Sequence, residues 1–226
     1  MRVNESFYSL QGEGMLAGTP SVFIRLAGCP VRCGWCDTRY AWDFDAGEDL
    51  EPAGIVERVN TWSCRFVVLT GGEPMVGPDL TARAGLADLT HRLKASGKHV
   101  TIETAGILFI PDLACDLMSI SPKLPDAMAP HPGSAGSDFE VIHQLIQAYE
   151  YQLKFVVESP GDIDDVQAML NELGPLEAER IVLMPRAATT EELRARSAMV
   201  AELCKRTGLR FGQRLHIQLW GARRGV

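Results

Sequence analysis

The stretch "RLAGCPVRCGWCDTRYAWD", Arg25 to Asp43, places three of the chain's six cysteines within eight residues. These cysteines, Cys29, Cys33 and Cys36, are spaced C-x3-C-x2-C and follow an apolar run that begins at Ser21. The amino-terminal residues lack the basic start and apolar stretch of a secretory signal, so we expect a cytoplasmic protein in which thiols stay reduced. Clustered thiols in that compartment indicate metal ligands or redox catalysts rather than disulfides.

The composition is typical of a globular protein that binds a small molecule. Of the 226 residues, 46% are hydrophobic and 23% are charged, and no apolar run approaches the ~18 residues that span a bilayer. A net charge of −7 disfavours contact with a phosphate backbone, which needs concentrated Lys and Arg. We therefore expect a single domain with no membrane and no nucleic-acid partner.

Short β-branched runs alternate with longer amphipathic stretches from about residue 21 onward. This alternation predicts an α/β fold in which βα units surround a parallel sheet. Six strands are predicted, beginning near Ser21, Arg65, His99, Cys115, Gln152 and Arg180. Helices are predicted over Asp79–Gly97, Asp162–Leu173 and Thr190–Thr207. Periodicity alone leaves open whether the sheet is doubly wound or a partly closed barrel.

Polar residues follow three of the predicted strands at the points where those strands end. They are Thr70–Glu73, Glu103–Gly106 and Ser121–Lys123. Because the carboxyl ends of parallel strands meet at one edge of the sheet, we expect the functional site at that edge.

Two other segments carry weaker signals. Asp126–Asp138 is rich in Gly, Pro and Ser and is interpreted as a surface loop. Arg214–Val226 alternates like a strand, which could pair at the sheet edge or reach the site with His216 or Trp220.

The cysteine triplet suits an iron–sulfur cluster. Three thiolates hold three irons of a [4Fe-4S] cluster and leave the fourth iron open to substrate or cofactor, by the logic of an open catalytic zinc site. A structural zinc site is the alternative, and its fourth ligand would come from a histidine or from Cys64, Cys115 or Cys204. Those isolated cysteines are interpreted as small buried hydrophobes. The triplet alone leaves both kinds of site open.

A second motif follows the next predicted strand. In "LTGGEP", Leu69 to Pro74, two glycines let the backbone approach a ligand closely, and Glu73 offers an acceptor for an ammonium group. Alone, this motif would indicate only a tight turn. In their order and strand context, the triplet and GGEP together resemble the radical S-adenosylmethionine (SAM) superfamily.

That resemblance implies a fold and a cofactor chemistry. The expected fold is a partial (β/α) barrel of about six parallel strands. The three cysteines would ligate a [4Fe-4S] cluster, the amino and carboxylate groups of SAM would chelate its open iron, and GGEP would contact the SAM amino group. The implied chemistry is reductive cleavage of SAM to a 5′-deoxyadenosyl radical.

Further stretches narrow the resemblance to one family. They are SLQGEG (Ser9–Gly14), FIRLAGC (Phe23–Cys29), CDT (Cys36–Thr38), SPK (Ser121–Lys123) and ETAG after the third predicted strand. Together they are similar to the 7-carboxy-7-deazaguanine synthase family. The resemblance implies a carbon–nitrogen lyase of queuosine and 7-deazapurine biosynthesis, which converts 6-carboxy-5,6,7,8-tetrahydropterin to 7-carboxy-7-deazaguanine with loss of ammonia. It also implies hydrogen abstraction at C6, return of that hydrogen to regenerate SAM, and assistance by Mg2+.

The family resemblance assigns roles to individual residues. The pterin carboxylate would pair with Arg25, and the other substrate contacts would come from Thr70, Leu10, Gln11 and Gly12. The expected SAM contacts are Trp35, Cys36, Asp37, Gly72, Glu73, Glu103, Ser121, Pro122 and Lys123. Thr38 would be the protein ligand to Mg2+.

The same resemblance implies a chain organisation and partners. Residues 1–20 would bind substrate, residues 21–187 would form the βα core, and residues 188–226 would add a C-terminal helix and strand. We expect a homodimer and a one-electron donor such as flavodoxin or ferredoxin.

The sequence leaves two alternative functions to consider. A glycyl-radical-enzyme activase also carries C-x3-C-x2-C, but SLQGEG stands where activases of that family typically have an Asp-Gly-Pro-Gly turn. A non-catalytic metal or iron–sulfur protein would leave the motifs at successive strand ends unexplained.

Overall fold

The computed structural model describes residues 1–77, 80–125, 137–221 and 223–226. Within these ranges nine strands form one sheet, ordered β3-β1-β2-β4-β5-β6-β7-β8-β9. The strands are β1 (Arg2–Leu10), β2 (Pro20–Leu26), β3 (Glu48–Asp49), β4 (Phe66–Gly71), β5 (His99–Thr104), β6 (Leu117–Ile120), β7 (Tyr151–Val157), β8 (Ile181–Pro185) and β9 (Arg210–Phe211).

The structure confirms the α/β fold and the six predicted core strands. Strands β2 and β4 to β8 pair in parallel, and the short β9 adds in parallel to β8. At the other side, β1 is antiparallel to β2 and β3 is antiparallel to β1. The outermost strands β3 and β9 are not neighbours, so the sheet does not close, which agrees with the expected partial barrel.

The described ranges contain six α-helices, of which the first five connect strands and the sixth follows β9. They are α1 (Pro52–Asn60), α2 (Leu80–Ala95), α3 (Phe139–Ala148), α4 (Asp162–Leu173), α5 (Thr190–Thr207) and α6 (Leu215–Trp220). Helices α4 and α5 have the predicted bounds. The side chain of Thr189 caps the start of α5 by accepting from the Glu192 N–H, and Gly208 ends this helix in the left-handed conformation. None of these helices combines the length and the apolar composition needed to cross a bilayer.

The core lies between the sheet and the helices. Residues from successive strands, including Ile24, Leu69, Ile102, Phe155 and Leu183, have no exposed surface. Strands of a parallel sheet are buried on both faces when helices cover them, which explains their near-continuous apolar runs. Burial of each such side chain contributes roughly 1.5–3 kcal/mol.

Strand β1 is an element that the sequence pattern did not predict. Its register with β2 places Glu5 opposite Arg25 and Phe7 opposite Phe23. The Phe7 and Phe23 rings stack with centroids 5.0 Å apart, and Glu5 bonds Arg25. A charged residue therefore occupies an inward position of β1, which obscures the alternation by which a half-buried strand is recognised.

The prediction of a strand in the C-terminal stretch from Arg214 was wrong. The chain instead forms the short helix α6, in which the N–H of Gln218 bonds the carbonyl of Arg214. Strand β9 already pairs with β8 at that edge, and Ile217 of α6 packs with Leu193 of α5. The helix thus buries its apolar residue against α5 rather than joining the sheet.

The predicted loop Asp126–Asp138 lies outside the described residues except for its last two positions. Asp138 is the N-cap of α3, and its side chain accepts from the N–H groups of Glu140 and Val141 at 2.9 and 3.3 Å.

We expect Asp138→Ala to lower the free energy of unfolding by about 1 kcal/mol, because two N–H groups of the first turn lose their acceptor. Urea denaturation measures this loss. Glu172→Ala, at an exposed position in the last turn of α4, should change stability by less than about 0.5 kcal/mol. Equal losses in the two variants would contradict the capping role.

Candidate active site

A cavity of about 500 Å³ opens at the carboxyl ends of the parallel strands. It is lined by residues that end β4 and β5 and by residues that follow β6 and β8. Every residue that the sequence analysis assigned to substrate, SAM, cluster or Mg2+ lines this cavity except Pro122, which is buried and does not line it. The motifs that are dispersed along the chain therefore meet at one place.

The cysteine loop, residues 29–42, folds back on the end of β2. The N–H of Gly28 bonds the carbonyl of Ala41 at 2.8 Å, and the N–H of Cys29 bonds the carbonyl of Trp42 at 3.1 Å. These bonds close the loop at its base. Within it, Cys29 and Cys33 are buried and Cys36 is partly exposed.

Gly72 allows the GGEP turn to lie directly against the base of the cysteine loop. A Cβ atom on Gly72 would lie 2.3 Å from the carbonyl oxygen of Gly28 and 2.7 Å from that of Ala41. The next residue, Glu73, donates its N–H to the same Gly28 carbonyl at 2.8 Å. The second glycine of the motif is therefore required by backbone-to-backbone approach.

The Glu73 side chain joins the GGEP turn to the ETAG turn. It is 2% exposed, and its oxygens accept from the Thr104 hydroxyl and the Ala105 N–H, both at 2.7 Å. Burial raises the pKa of this carboxyl. Both oxygens already have partners within the fold, so Glu73 positions the two turns whether or not it also contacts SAM.

The three thiols fit a cluster better than a closed zinc site. Cys64 bonds the carbonyl of Pro20 at 3.2 Å, at the amino end of β2, while Cys115 and Cys204 pack into the core. Those cysteines are therefore remote from the triplet. Within the described ranges no three His, Cys, Asp or Glu side chains converge on one ion position, whereas a cluster distributes its thiolates over separate irons.

The residues assigned to SAM lie together beside the triplet. The Lys123 ammonium lies 5.5 Å from the centre of the Trp35 ring and donates to the Ser121 hydroxyl at 3.0 Å. An aromatic face and a cation thus face one side of the cavity. The contacts with SAM themselves remain predictions.

Buried charges span the far side of the cavity. Lys154 of β7 is 3% exposed, and its Nζ donates to Glu13 at 3.0 Å and to Glu103 at 3.2 Å. Arg214 is 5% exposed, and it donates to Glu13 at 3.0 Å and to Asp37 at 2.8 Å. Two cations therefore bond three carboxylates, of which Glu13 and Glu103 are mostly buried and Asp37 is half-exposed.

These charges keep Glu13 ionised. Burial alone would raise the pKa of its carboxyl, but the charges of Lys154 and Arg214 hold the pKa well below its ordinary value of 4.5. Burial also lowers the pKa of His216, whose ring lies against Gly12. The cavity thus presents a permanent carboxylate near the substrate segment.

Sequence reasoning missed Glu13, Lys154 and Arg214, and it left the position of His216 open. One signal was present: Lys154 interrupts the apolar run "LKFVV" of a strand predicted to be buried. A buried lysine almost always has an acidic partner. The sequence does not show that this partner is Glu13, because Glu13 lies 141 residues before Lys154.

Arg25 lies in a second charged group at the cavity. Its Nε donates to Glu5 at 2.7 Å, and the Tyr40 hydroxyl donates to the same Glu5 oxygen at 2.9 Å. Arg224 bonds the other Glu5 oxygen at 2.8 Å. Arg25 lines the cavity, and in the part of the chain that the structure describes no hydrogen bond uses its terminal nitrogens.

The fold and the site define the class of protein: a radical SAM enzyme. The model of the radical SAM superfamily matches residues 23–129. The crystal structure of QueE from Escherichia coli superposes with a TM-score of 0.67 at 27% identity, covering 93% of this chain and 92% of that one.

The family follows from relatives that align along the whole chain. The 7-carboxy-7-deazaguanine synthase of Halobacterium salinarum is 39% identical over 96% of this chain and 90% of its own length. That of Rhodopirellula baltica is 38% identical over 99% of this chain and 88% of its own length. The chain belongs to the 7-carboxy-7-deazaguanine synthase family.

We expect Gly72→Ala to displace the cysteine loop, because its Cβ has no room beside two backbone carbonyls. The variant should lose most of its iron after anaerobic reconstitution with iron and sulfide, as measured by iron and sulfide content. Gly54→Ala is the control: nothing lies within 4 Å of its Cβ, and an alanine in helix α1 should stabilise the protein by up to about 1 kcal/mol. Full iron content in Gly72→Ala would refute the docking argument.

We expect Lys154→Met to destabilise the protein by about 3–5 kcal/mol at neutral pH, since it leaves Glu103 without its cation and Glu13 with Arg214 alone. The Glu13 pKa is lowered in the folded state, so the stability it contributes is present above pH 4.5 and is lost as the pH falls. The difference from wild type should therefore shrink in acid, as urea denaturation at several pH values would show. Lys205→Met, which breaks an exposed pair with Glu202, should cost less than about 1 kcal/mol.

Proposed function

We propose that this chain converts 6-carboxy-5,6,7,8-tetrahydropterin to 7-carboxy-7-deazaguanine and ammonia. The observation that carries the proposal is the shared cavity, in which the cysteine loop, GGEP and the SLQGEG segment meet. The names of relatives that align along nearly the whole chain support the same reaction. The product and one ammonia account for all atoms of the substrate, so the reaction consumes no net oxidant or reductant.

The cofactor side of the cavity would be held by the cysteine loop. Cys29, Cys33 and Cys36 would bind a [4Fe-4S] cluster, and the Trp35, Ser121 and Lys123 side would receive SAM. When bound, these groups would supply the chemistry of a 5′-deoxyadenosyl radical, for reversible hydrogen abstraction at C6 of the pterin. The chain's own task is to fix both molecules so that this one C–H bond is in reach.

The pterin side would be formed by β1, β2 and the turn after β1. The terminal nitrogens of Arg25 would pair with the substrate carboxylate, because a planar guanidinium offers two parallel donors. The stacked Phe7 and Phe23 rings line the cavity and offer an apolar wall. The Gln11 side chain donates to Glu103 at 3.3 Å and accepts from the Glu13 N–H at 3.1 Å, so this turn is rigid before substrate arrives.

Glu13 adds a fixed acceptor to the pterin side. Lys154 and Arg214 each bond one of its oxygens, and each oxygen retains a further lone pair. The donor-rich pyrimidine edge of a pterin suits such a carboxylate. Thr70, at the end of β4, would complete the substrate contacts together with Leu10 and Gly12.

Thr38 is the proposed protein ligand of Mg2+. Its hydroxyl lies 3.6 Å from the Cys36 sulfur and donates to Asp37 at 3.4 Å, and Thr38 lines the cavity from within the cysteine loop. A single hydroxyl ligand suits Mg2+, which retains several waters and would take its remaining oxygens from substrate.

The proposal includes two protein partners, an electron donor and a second copy of this chain. The reaction needs a one-electron donor, for which flavodoxin or ferredoxin is our hypothesis, and the family resemblance favours a homodimer. Titration of purified protein with a reduced flavodoxin and sedimentation analysis would examine the two points separately.

The deciding experiment is an anaerobic reaction of the reconstituted protein with SAM, reductant, Mg2+ and 6-carboxytetrahydropterin. We expect 7-carboxy-7-deazaguanine, detected by mass, only when SAM and reductant are both present. Any one of Cys29→Ala, Cys33→Ala or Cys36→Ala should abolish product, because each removes a cluster ligand, while Cys64→Ala should retain it. Formation of 5′-deoxyadenosine without product would keep the radical SAM class and favour another substrate, the activase function being the next to examine.

A further inference from the structure

Arg214 occupies a position that neither the motifs nor the proposed substrate contacts account for. It is the N-cap residue of α6, and its side chain is almost completely buried. Each of its three guanidinium nitrogens bonds a different segment: Nε bonds Glu13 at 3.0 Å, Nη2 bonds Asp37 at 2.8 Å, and Nη1 bonds the carbonyl of Ala187 at 2.6 Å. One rigid, planar group therefore joins three parts of the chain.

Two of these three segments lie on opposite sides of the proposed reaction. Glu13 follows the residues assigned to the pterin. Asp37 stands between the cluster ligand Cys36 and the proposed Mg2+ ligand Thr38, whose hydroxyl donates to the second Asp37 oxygen. The guanidinium is thus a direct physical link between the pterin side and the cysteine loop, beside the links that Lys154 and Gln11 make to Glu103.

The third segment, at Ala187, anchors Arg214 to the buried residues around helix α6. Ala187, after β8, packs with Leu193 and Ile217 in a small buried group. The backbone N–H of Leu215 also bonds the carbonyl of Gly12 at 2.8 Å. A shift of the pterin turn must therefore move Arg214 as well.

The burial of Arg214 makes its two carboxylates interdependent. A desolvated guanidinium is stable only when its partners are in place, and removal of one partner leaves an uncompensated charge. Asp37 is the loosely held partner, since 47% of its side chain is exposed. A pterin that bonds Glu13 therefore acts, through the guanidinium that both carboxylates share, on Asp37 in the cysteine loop.

We propose that Arg214 is a positioning residue that couples the two ligand sites, so that bound pterin tightens SAM binding and bound SAM tightens pterin binding by the same factor. The inference rests on the proposed function, because it takes the pterin as the ligand near Glu13. It concerns binding equilibria and so can be measured without turnover.

The test is the dissociation constant of SAM for the cluster-reconstituted, unreduced protein, measured anaerobically by calorimetry with and without 6-carboxytetrahydropterin. In the wild type, the pterin should lower this constant about fivefold or more, a common size for coupling between sites. In Arg214→Met the pterin should lower the SAM dissociation constant by less than about twofold. Arg196→Met is the matched control: it removes a partly buried arginine of α5 outside the cavity, and it should keep the wild-type factor and activity.

A purely structural Arg214 gives a different result. In that case Arg214→Met would bind both SAM and the pterin more weakly and would be less stable. The ratio of its SAM dissociation constants without and with pterin would, however, equal the wild-type ratio. A wild-type ratio in Arg214→Met would overturn the proposal. If Arg214→Met does not fold, Asp37→Ala decides, because it removes the half-exposed carboxylate that accepts from Nη2; its iron content is measured alongside. Retention of the full pterin effect on SAM binding in Asp37→Ala would also overturn the proposal.

The failures of the two proposals are distinguishable. Wild-type protein that forms 7-carboxy-7-deazaguanine but shows no effect of pterin on SAM binding would overturn the coupling and leave the reaction intact. Wild-type protein that neither binds the pterin nor forms product would overturn both.

Discussion

The contact of the GGEP turn with the base of the cysteine loop is the constraint on which the site depends. It consists of backbone atoms: the Gly28 carbonyl accepts from Glu73, and Gly72 leaves no gap between the two segments. Because peptide groups make this contact, it fixes the loop to the sheet with little freedom. The three thiols and the SAM side of the cavity then take their positions from strands β2, β4 and β5, which pair in parallel within the sheet.

The buried charged residues on the far side of the cavity, Glu13, Lys154 and Arg214, serve to orient the substrate. A polar substrate must be oriented in a cavity from which water is largely removed, and flexible surface charges would do this poorly. Here the ion pairs of Lys154 and Arg214 with Glu13 hold the carboxylate before substrate arrives. Such preorganised charge is costly to bury, so its presence inside a cavity is better explained by binding or catalysis than by stability.

The sequence predicted the parts of the molecule whose signals are local. Helices α4 and α5, the six core strands, the cysteine triplet and GGEP each depend on neighbouring residues, and all were placed correctly. Strand β1 was missed because Glu5 faces inward, and α6 was mistaken for a strand because six residues are too few to separate the two periodicities. The link from Glu13 to Arg214 could not be predicted at all, since only the folded sheet brings these residues together.

That same link has a consequence for how the protein is made. The cysteine loop, GGEP and ETAG all lie within the first 106 residues, so these motifs are synthesised early. Glu13 and Arg214 are 201 residues apart, so their ion pair can form only after nearly all of the chain has left the ribosome. A chain that ended before Arg214 would contain the cluster ligands but lack the guanidinium that holds Glu13 and Asp37.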